Sequence, residues 1–292
     1  MNRPLVSVIV VCYNHEAFVE EAVRSVVNQT WSPIQLIVVD DHSTDQSPAI
    51  LQNLRETYPQ MELLLLPQNL GNCAAFNRGL ARAMGDYVID LAADDMLEPD
   101  RVSRGVQVLE AAGPEAGIHY SDAFHISEGG TVQGLHSDRF PHHTIPQGDV
   151  NEHVIRRYFI CSPSMMMRKS MLDHLHGYDE TLAYEDFDIL VRASRQYRFV
   201  YSPEALVRKR KVAGSLGQLQ FGWRSRQAES TYRVCAKARA LNRTESEWRA
   251  WRGRILYECR SSFQRGSFGL ALRYLLMLRT YFRLSSPVTI LT

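Results

Sequence analysis

Gly85-Asp-Tyr-Val-Ile-Asp-Leu-Ala-Ala-Asp-Asp-Met-Leu-Glu-Pro-Asp100 is a short apolar run that delivers two adjacent carboxylates, Asp94 and Asp95, to its downstream end. An open α/β sheet presents its ligands at the carboxyl ends of its strands. Neighbouring carboxylates repel unless a cation or a hydrogen-bond donor sits between them. Hard divalent cations such as Mg²⁺ or Mn²⁺ prefer such oxygen ligands. The stretch therefore reads as a strand leading into a metal site, and the simpler alternative is a solvated turn and helix cap before Pro99.

Upstream, β-rich apolar runs alternate with helical periodicity. Leu5-Val-Ser-Val-Ile-Val-Val-Cys12 has the continuous apolar character of a strand covered on both faces, which points to a parallel sheet. It stops at Tyr13-Asn14. Val19, Ala22, Val23, Val26 and Val27 then recur at helical spacing, with Glu16, Glu20 and Glu21 near the helix start, where its dipole favours anions. Ile34-Gln-Leu-Ile-Val-Val39 is a second strand, ending in Asp40-Asp-His-Ser-Thr-Asp45 before a helix expected to be capped by Ser47 and opened by Pro48. Met61-Glu-Leu-Leu-Leu-Leu66 is a third strand, Asn69-Leu-Gly-Asn72 turns the chain, and 73–84 reads as a helix closed by Gly85. The strand expected to end at Asp94 follows. This alternation predicts an α/β doubly wound, mostly parallel sheet with Tyr13, Asp40 and Asp94 along one edge. The first turn has no GxGxxG, which removes the main support for a dinucleotide-binding oxidoreductase.

Downstream, 122–150 is rich in Gly, Pro and His and reads as an irregular mobile loop with solvent-facing His125, His136, His142 and His143; its functional version is a donor-dependent lid. The methionines of Ile160-Cys-Ser-Pro-Ser-Met-Met-Met167 are expected in the core. Tyr184-Glu-Asp-Phe-Asp-Ile-Leu-Val-Arg192 opens a helix on an acidic pair that could serve as a cap. Arg198-Phe-Val-Tyr-Ser202 reads as the last strand before Val207-Arg-Lys-Arg-Lys211 closes the first domain, 1–212. The remainder, 213–292, is a basic α-helical extension.

Five blocks carry a resemblance: Val8-Ile-Val-Val-Cys-Tyr-Asn-His15, the Ala22–Thr30 helix, Val39-Asp-Asp-His-Ser-Thr-Asp45, Asn69-Leu-Gly71 with Asn77-Arg-Gly79, and Ala92-Ala-Asp-Asp95. In order and spacing they resemble the family 2 inverting glycosyltransferases of the GT-A fold. Gly177-Tyr-Asp-Glu180 and the Glu185-Asp186 pair extend the likeness. The resemblance implies that Asp186, with Glu185 beside it, is the catalytic base, and that Val11, Tyr13, Asn14, Asp40, Asn69, Asn77 and Asp94 face a nucleotide-sugar, Tyr13 stacking on the base. It implies Asp95 and Asp94 as ligands of Mg²⁺ or Mn²⁺. The family often has Asp-x-Asp-Asp where this chain has Ala92-Ala-Asp-Asp95, so the first carboxylate is missing. Family frequency favours a uridine diphosphate sugar as donor and a glycan or lipid-linked hydroxyl as acceptor, in surface polysaccharide or glycolipid synthesis. Rival readings are a catalytically silent module of the same fold and a nucleic-acid-binding protein using the basic tail.

The bulk numbers agree with an ordinary globular composition: 292 residues, 45% hydrophobic and 22% charged. No apolar stretch is long enough to span a bilayer and no signal-peptide core opens the chain, so a cytoplasmic protein is expected. Cys12, Cys73, Cys161, Cys235 and Cys259 are scattered and form no CxxC pair, which argues against a zinc cage or a disulfide framework. The net charge of +1 conceals a split: 1–207 carry 15 Lys+Arg against 28 Asp+Glu, and 208–292 carry 18 against 4. The basic part expects an anionic partner, such as the acidic domain or the inner face of a membrane. Its lack of ribonucleoprotein and zinc signatures argues against nucleic acid. A helix over 267–284 is expected to gather Leu272, Leu275, Leu276, Met277 and Phe282 on one apolar face, with Arg265, Arg279 and Arg283 on the other.

Overall fold

The computed structural model describes residues 3–140, 144–212 and 225–285, with side chains to residue 279 in the last segment. His142, His143, Phe282 and Arg283 lie outside the described side chains. Two compact units are present, 1–150 with 159–213, and 151–158 with 214–292.

The first unit is built on a mixed sheet whose strands run in the order β3 (Glu62–Leu65), β2 (Ile34–Asp40), β1 (Val6–Cys12), β4 (Tyr87–Ala92), β8 (Met166–Arg168), β6 (Ala116–Ile126), β9 (Arg198–Arg210) and β5 (Met96–Leu97), with β7 (Val132–Leu135) against β6. The first four strands are mutually parallel. β8 pairs antiparallel with β4 and β6, β6 pairs parallel with β9, and β5 pairs antiparallel with β9. Every residue of β1 is buried, because helices cover both faces. Val6, Val8 and Val10 pack in one core with Val19, Ala22, Val23 and Val26 of α1 (Val19–Val27), Leu51 and Leu54 of α2 (Ser47–Thr57) and Val102, Val106 and Leu109 of α4 (Arg101–Ala112). Burying each such Val or Leu contributes about 1.5–3 kcal/mol. α3 (Asn72–Leu80) packs against β1 and β2 at Gly79, where a Cβ would stand 2.5 Å from Ile9 Cγ2.

Several boundaries differ from the sequence reading. Ser47 is the first helical residue and makes no cap; its Oγ accepts from His15 N at 3.0 Å, while Ser47 N donates to Asp45 Oδ1 at 2.9 Å. α3 ends at Leu80, so Gly85 closes no helix. A Cβ there would meet Ser7 N at 2.6 Å, so Gly85 allows the chain to cross tightly beside β1. β4 ends at Ala92, and Asp94 and Asp95 lie in the turn after it.

Part of the stretch 122–150 is strand: β6 runs through Ile126 and β7 (Val132–Leu135) returns along it. His125 and His136 are not solvent-facing; their rings lie 5.5 Å apart, His136 Nε2 meets Phe159 O at 3.0 Å, and both ring nitrogens of His125 are buried without a partner among the described residues. Buried Asp122 holds this corner by accepting from Ser137 N and Oγ and from Ala123 N. Met165, Met166 and Met167 are in the core, as expected. Val207–Arg210 extend the last strand and do not simply close the domain.

The second unit contains α5 (Asn151–Arg156), α8 (Arg226–Leu241), α9 (Glu245–Gln264) and α10 (Phe268–Ser285). Trp251 is fully buried and its Nε1 donates to Cys235 O at 2.8 Å. Thr244 and Glu247 form a capping box at the start of α9, and Arg273 clamps Glu229 with two bonds of 2.6 and 2.9 Å. The buried stripe of α10 is Ala271, Tyr274, Met277 and Leu278, whereas Leu272, Leu275 and Leu276 are exposed, contrary to the single apolar face expected. No described helix is long and apolar enough to cross a membrane.

Candidate active site

Register brings the chemistry to one edge. Cys12 is level with Asp40 and Val11 with Ala92, so the residues after β1, β2 and β4 leave the sheet side by side. Val11 O accepts from Ala93 N at 2.9 Å and Cys12 O from Asp41 N at 2.8 Å, which fixes how the two acidic turns depart.

On this edge Tyr13 is exposed. Asn14 adopts a left-handed φ of 56°, a conformation Asn tolerates better than most residues. Its N–H donates to Ser43 Oγ at 2.9 Å and its Oδ1 accepts from Thr44 N at 2.8 Å. Asp40 is buried: Oδ2 accepts from Ser43 N at 2.9 Å, while Oδ1 has no partner among the described residues. A buried carboxylate oxygen without a donor costs free energy until something supplies one, and a nucleobase N–H has the right chemistry.

Asp41, which the sequence reading did not single out, accepts from Leu70 N at 2.7 Å and Gly71 N at 2.8 Å and so shapes the turn that opens α3. Burial pushes its carboxyl up against those stabilising bonds. Asn69 Nδ2 donates to Asp41 O at 3.2 Å, within the same brace. Asn77 stands apart: its amide accepts from Tyr178 N and donates to Tyr178 O, both at 2.9 Å, tying α3 to the 177–180 turn.

The acid pair divides its exposure. Asp95 is buried and Asp94 partly exposed. Asp95 Oδ1 accepts from Arg210 N at 2.8 Å, and Asp94 O accepts from Arg210 Nε at 3.0 Å. Arg210 is spent on this scaffold, bonding Glu128 O and Glu21 at 2.5 Å each, with its guanidinium 4.6 Å from the Phe18 ring centroid. Burial first, and the charge of Asp94 second, push the Asp95 carboxyl up to about 8. Arg208 and Arg210 reach Glu98 and Glu21; side chains alternate along a strand, so Lys209 points to the opposite face. Burial opposes the charge of Lys209, but Cys161, Asp95, Asp186 and Asp94 raise its pKa above the ordinary value.

After the short α6 (Lys169–His174), Asp186 is the first residue of α7 (Asp186–Ala193). Its Oδ2 accepts from Ser162 Oγ at 2.8 Å and its Oδ1 from Phe187 N at 2.7 Å. Glu185 is the preceding cap residue, and its Oε2 accepts from Asn72 Nδ2 at 2.6 Å. Burial, then the charges of Asp186 and Asp90, push Glu185 up to about 8. Asp90 on β4 accepts from Tyr178 Oη at 3.0 Å, and burial raises it to about 7. Both carboxyls are therefore held above the ordinary carboxylate range.

A divalent cation fits this site within limits. No three His, Cys, Asp or Glu side chains converge to hold a metal among the described residues. Asp94 and the free oxygen of Asp95 offer two carboxylates, and an ion of the Mg²⁺ type commonly takes one or two carboxylates and completes its shell with phosphate and water. The sequence reading missed Lys209, Arg210, Asp41, Asp90, Asn72 and Ser162. Only Lys209 had a usable signal, since continuing the strand beyond Ser202 places it opposite its two arginine neighbours.

The family described as Glycosyl transferase family 2 matches residues 7–175, more than half of the chain. An uncharacterized glycosyltransferase of Haemophilus influenzae is 38% identical over 109 residues, covering 37% of this chain and 44% of that protein. The putative teichuronic acid biosynthesis glycosyltransferase TuaG of Bacillus subtilis is 36% identical over 107 residues, 37% of this chain and 42% of its own length. The match thus spans less than half of either relative. Among solved structures, Staphylococcus aureus TarS 1–349 in complex with UDP gives a TM-score of 0.63 at 18% identity, covering 88% of this chain and 71% of that one. The mannosyltransferase PcManGT of Pyrobaculum calidifontis, in complex with GDP-Man and Mn²⁺, gives 0.68 at 19% identity, covering 97% and 81%. At these identities the likeness shows the fold, which is of the GT-A type.

Proposed function

The chain belongs to glycosyl transferase family 2, and from that premise we propose that it moves a sugar from a nucleoside diphosphate donor to an acceptor hydroxyl with inversion at the anomeric carbon. The observation that carries this reading is the meeting, at one sheet edge, of a partnerless buried acceptor on Asp40, the Asp94–Asp95 turn and the charge of Lys209, with Asp186 among the groups that act on Lys209.

The nucleobase stacks on Tyr13 and donates an N–H to Asp40 Oδ1. The acceptor oxygen attacks the anomeric carbon, its proton passes to the Asp186 carboxylate, and the bond to the diphosphate oxygen breaks with its electron pair leaving on the diphosphate. A positioned base of this kind contributes about 10²–10⁴-fold. Ser162 Oγ orients Asp186 through the bond to Oδ2. Lys209 offsets the charge developing on the diphosphate. Bound Mg²⁺ or Mn²⁺, held by Asp94 and Asp95, would supply Lewis-acid neutralisation of that same leaving group.

The UDP, UDP-GlcNAc and GDP-Man complexes of structural neighbours support a nucleotide-sugar donor, and a uridine diphosphate sugar is the first choice. Relatives named for teichuronic acid and succinoglycan biosynthesis support a role in polysaccharide synthesis, and the acceptor we propose is a hydroxyl of a growing or lipid-linked glycan. A panel of nucleotide-sugars, read by thermal stabilisation and by metal-dependent release of nucleoside diphosphate, tests the proposal. Stabilisation and turnover by one donor class are expected. Binding without turnover under every acceptor tried would turn the reading to a silent binding module.

A further inference from the structure

The second unit carries an apolar surface that its own core does not use. With about 3.6 residues per turn, Phe268, Leu272, Leu275 and Arg279 fall on one side of α10, and the buried Ala271, Tyr274 and Leu278 on the other. Phe268 is 61% exposed, Leu272 56%, and Leu275 and Leu276 51% each, while Tyr274 is 1% exposed. An ordinary surface helix presents a polar outer face; this one is apolar on both.

The ridge continues onto α9. Phe263, 63% exposed, meets the Phe268 ring edge-on at 5.2 Å across the turn between the helices. Leu256 and the exposed Arg260 share a stripe with Phe263, at spacings of four and three residues.

Charge identifies the occupant. Residues 214–292 contain 14 Lys+Arg and 4 Asp+Glu, a net of 14 − 4 = +10. All four acids are engaged: Glu229 by Arg273, Glu245 by Arg249, Glu258 by Arg254, and Glu247 in the capping box. Among the described residues neither Arg260 nor Arg279, both exposed and set among the apolar side chains, makes an ion pair. A second copy of this surface would bring arginine against arginine. A nucleic acid would leave four Leu and two Phe side chains unused. An anionic bilayer surface satisfies both components, because the apolar side chains enter the acyl boundary while arginines meet headgroup phosphates and snorkel along it.

We propose that the exposed ridge of Leu256, Phe263, Phe268, Leu272, Leu275 and Leu276, with Arg260 and Arg279, docks reversibly on a membrane surface of anionic phospholipid. The inference does not depend on the transfer reaction. It is tested on the full chain by sedimentation with phosphatidylglycerol–phosphatidylcholine vesicles against pure phosphatidylcholine, at low and high salt. Preference for the anionic vesicles, lost at high salt, is expected. Each of Arg260→Gln and Arg279→Gln should weaken partitioning about fivefold, the equivalent of ~1 kcal/mol per charge. The triple variant Leu272→Ser, Leu275→Ser, Leu276→Ser should weaken it by about tenfold or more, with an unchanged circular dichroism spectrum and melting temperature.

No preference for anionic vesicles at low salt overturns the proposal. So does an unfolded triple variant, which would mean that the leucines belong to the core. A dimer seen by light scattering and abolished by the triple variant reassigns the ridge to a second copy. Retention by duplex DNA that is indifferent to the leucine changes reassigns the arginines to nucleic acid.

Discussion

In the proposed reaction Asp186 and Asp95 have separable roles. Asp186→Asn deletes the proposed proton acceptor but no proposed ligand of the nucleotide or metal, so turnover should fall about 10²–10⁴-fold while nucleotide affinity, measured by calorimetry, stays within a few-fold of the parent; an unchanged kcat would reduce Asp186 to a helix cap. Asp95→Ala removes an oxygen ligand from a site with only two, and should weaken donor binding in Mn²⁺ but not in EDTA. Equal affinity in the two conditions for the parent protein would reject the metal. The raised carboxyls also fix a pH dependence. Asp95 and Glu185 each titrate near 8 when folded, against an ordinary value near 4, so the folded state binds more protons between those limits. The stability these two groups contribute is therefore fully present below about pH 4 and is lost as pH rises toward about 8. Melting in EDTA should drop steadily over this window, and Asp95→Asn should flatten part of the drop. Added Mn²⁺ should restore stability most at the alkaline end.

At the scale of elements, close packing is concentrated where α3 meets the sheet. Gly79→Ala would place a methyl 2.5 Å from Ile9 Cγ2, and overpacking of this kind costs about 1–3 kcal/mol; a denaturant midpoint unchanged from the parent would show that the helix can withdraw. The strand and helix sequence through β4 was legible because parallel strands buried on both faces leave continuous apolar runs. What local pattern could not reveal was the outcome of distant pairing. Gly85 resembles a helix terminator, yet its role is to admit Ser7. The Gly- and His-rich stretch after residue 122 resembles a loop, yet its backbone finds partners in β7 and in β9, more than seventy residues later. The acid pair, Asp40 and Asp186 were visible in the sequence. Their supports were not, because Arg210, Asn72 and Ser162 reach the site only through tertiary contacts. α10 shows the same limit differently: its periodicity identifies an amphipathic helix, but an apolar arc on each side leaves the choice of buried face to its neighbours.

At the scale of the whole molecule, the −13 carried by 1–207 and the +14 carried by 208–292 nearly cancel, so bulk charge conceals two surfaces of opposite character. The vesicle interaction should show the salt dependence of the basic part alone, although the isoelectric point is near neutral. The pairing of β5 with β9 has a consequence for the making of the protein. Met96 and Leu97 leave the acid turn without a strand partner until Val207 and Arg208 exist, and Asp95 has no backbone donor until Arg210 exists. The first hundred residues hold the four parallel strands β1 to β4 and the acid turn, but neither the strand partner of β5 nor the backbone donor to Asp95. If the proposed donor site is right, a nascent chain shorter than about 210 residues should fail to bind donor, because the brace on Asp95 comes from Arg210.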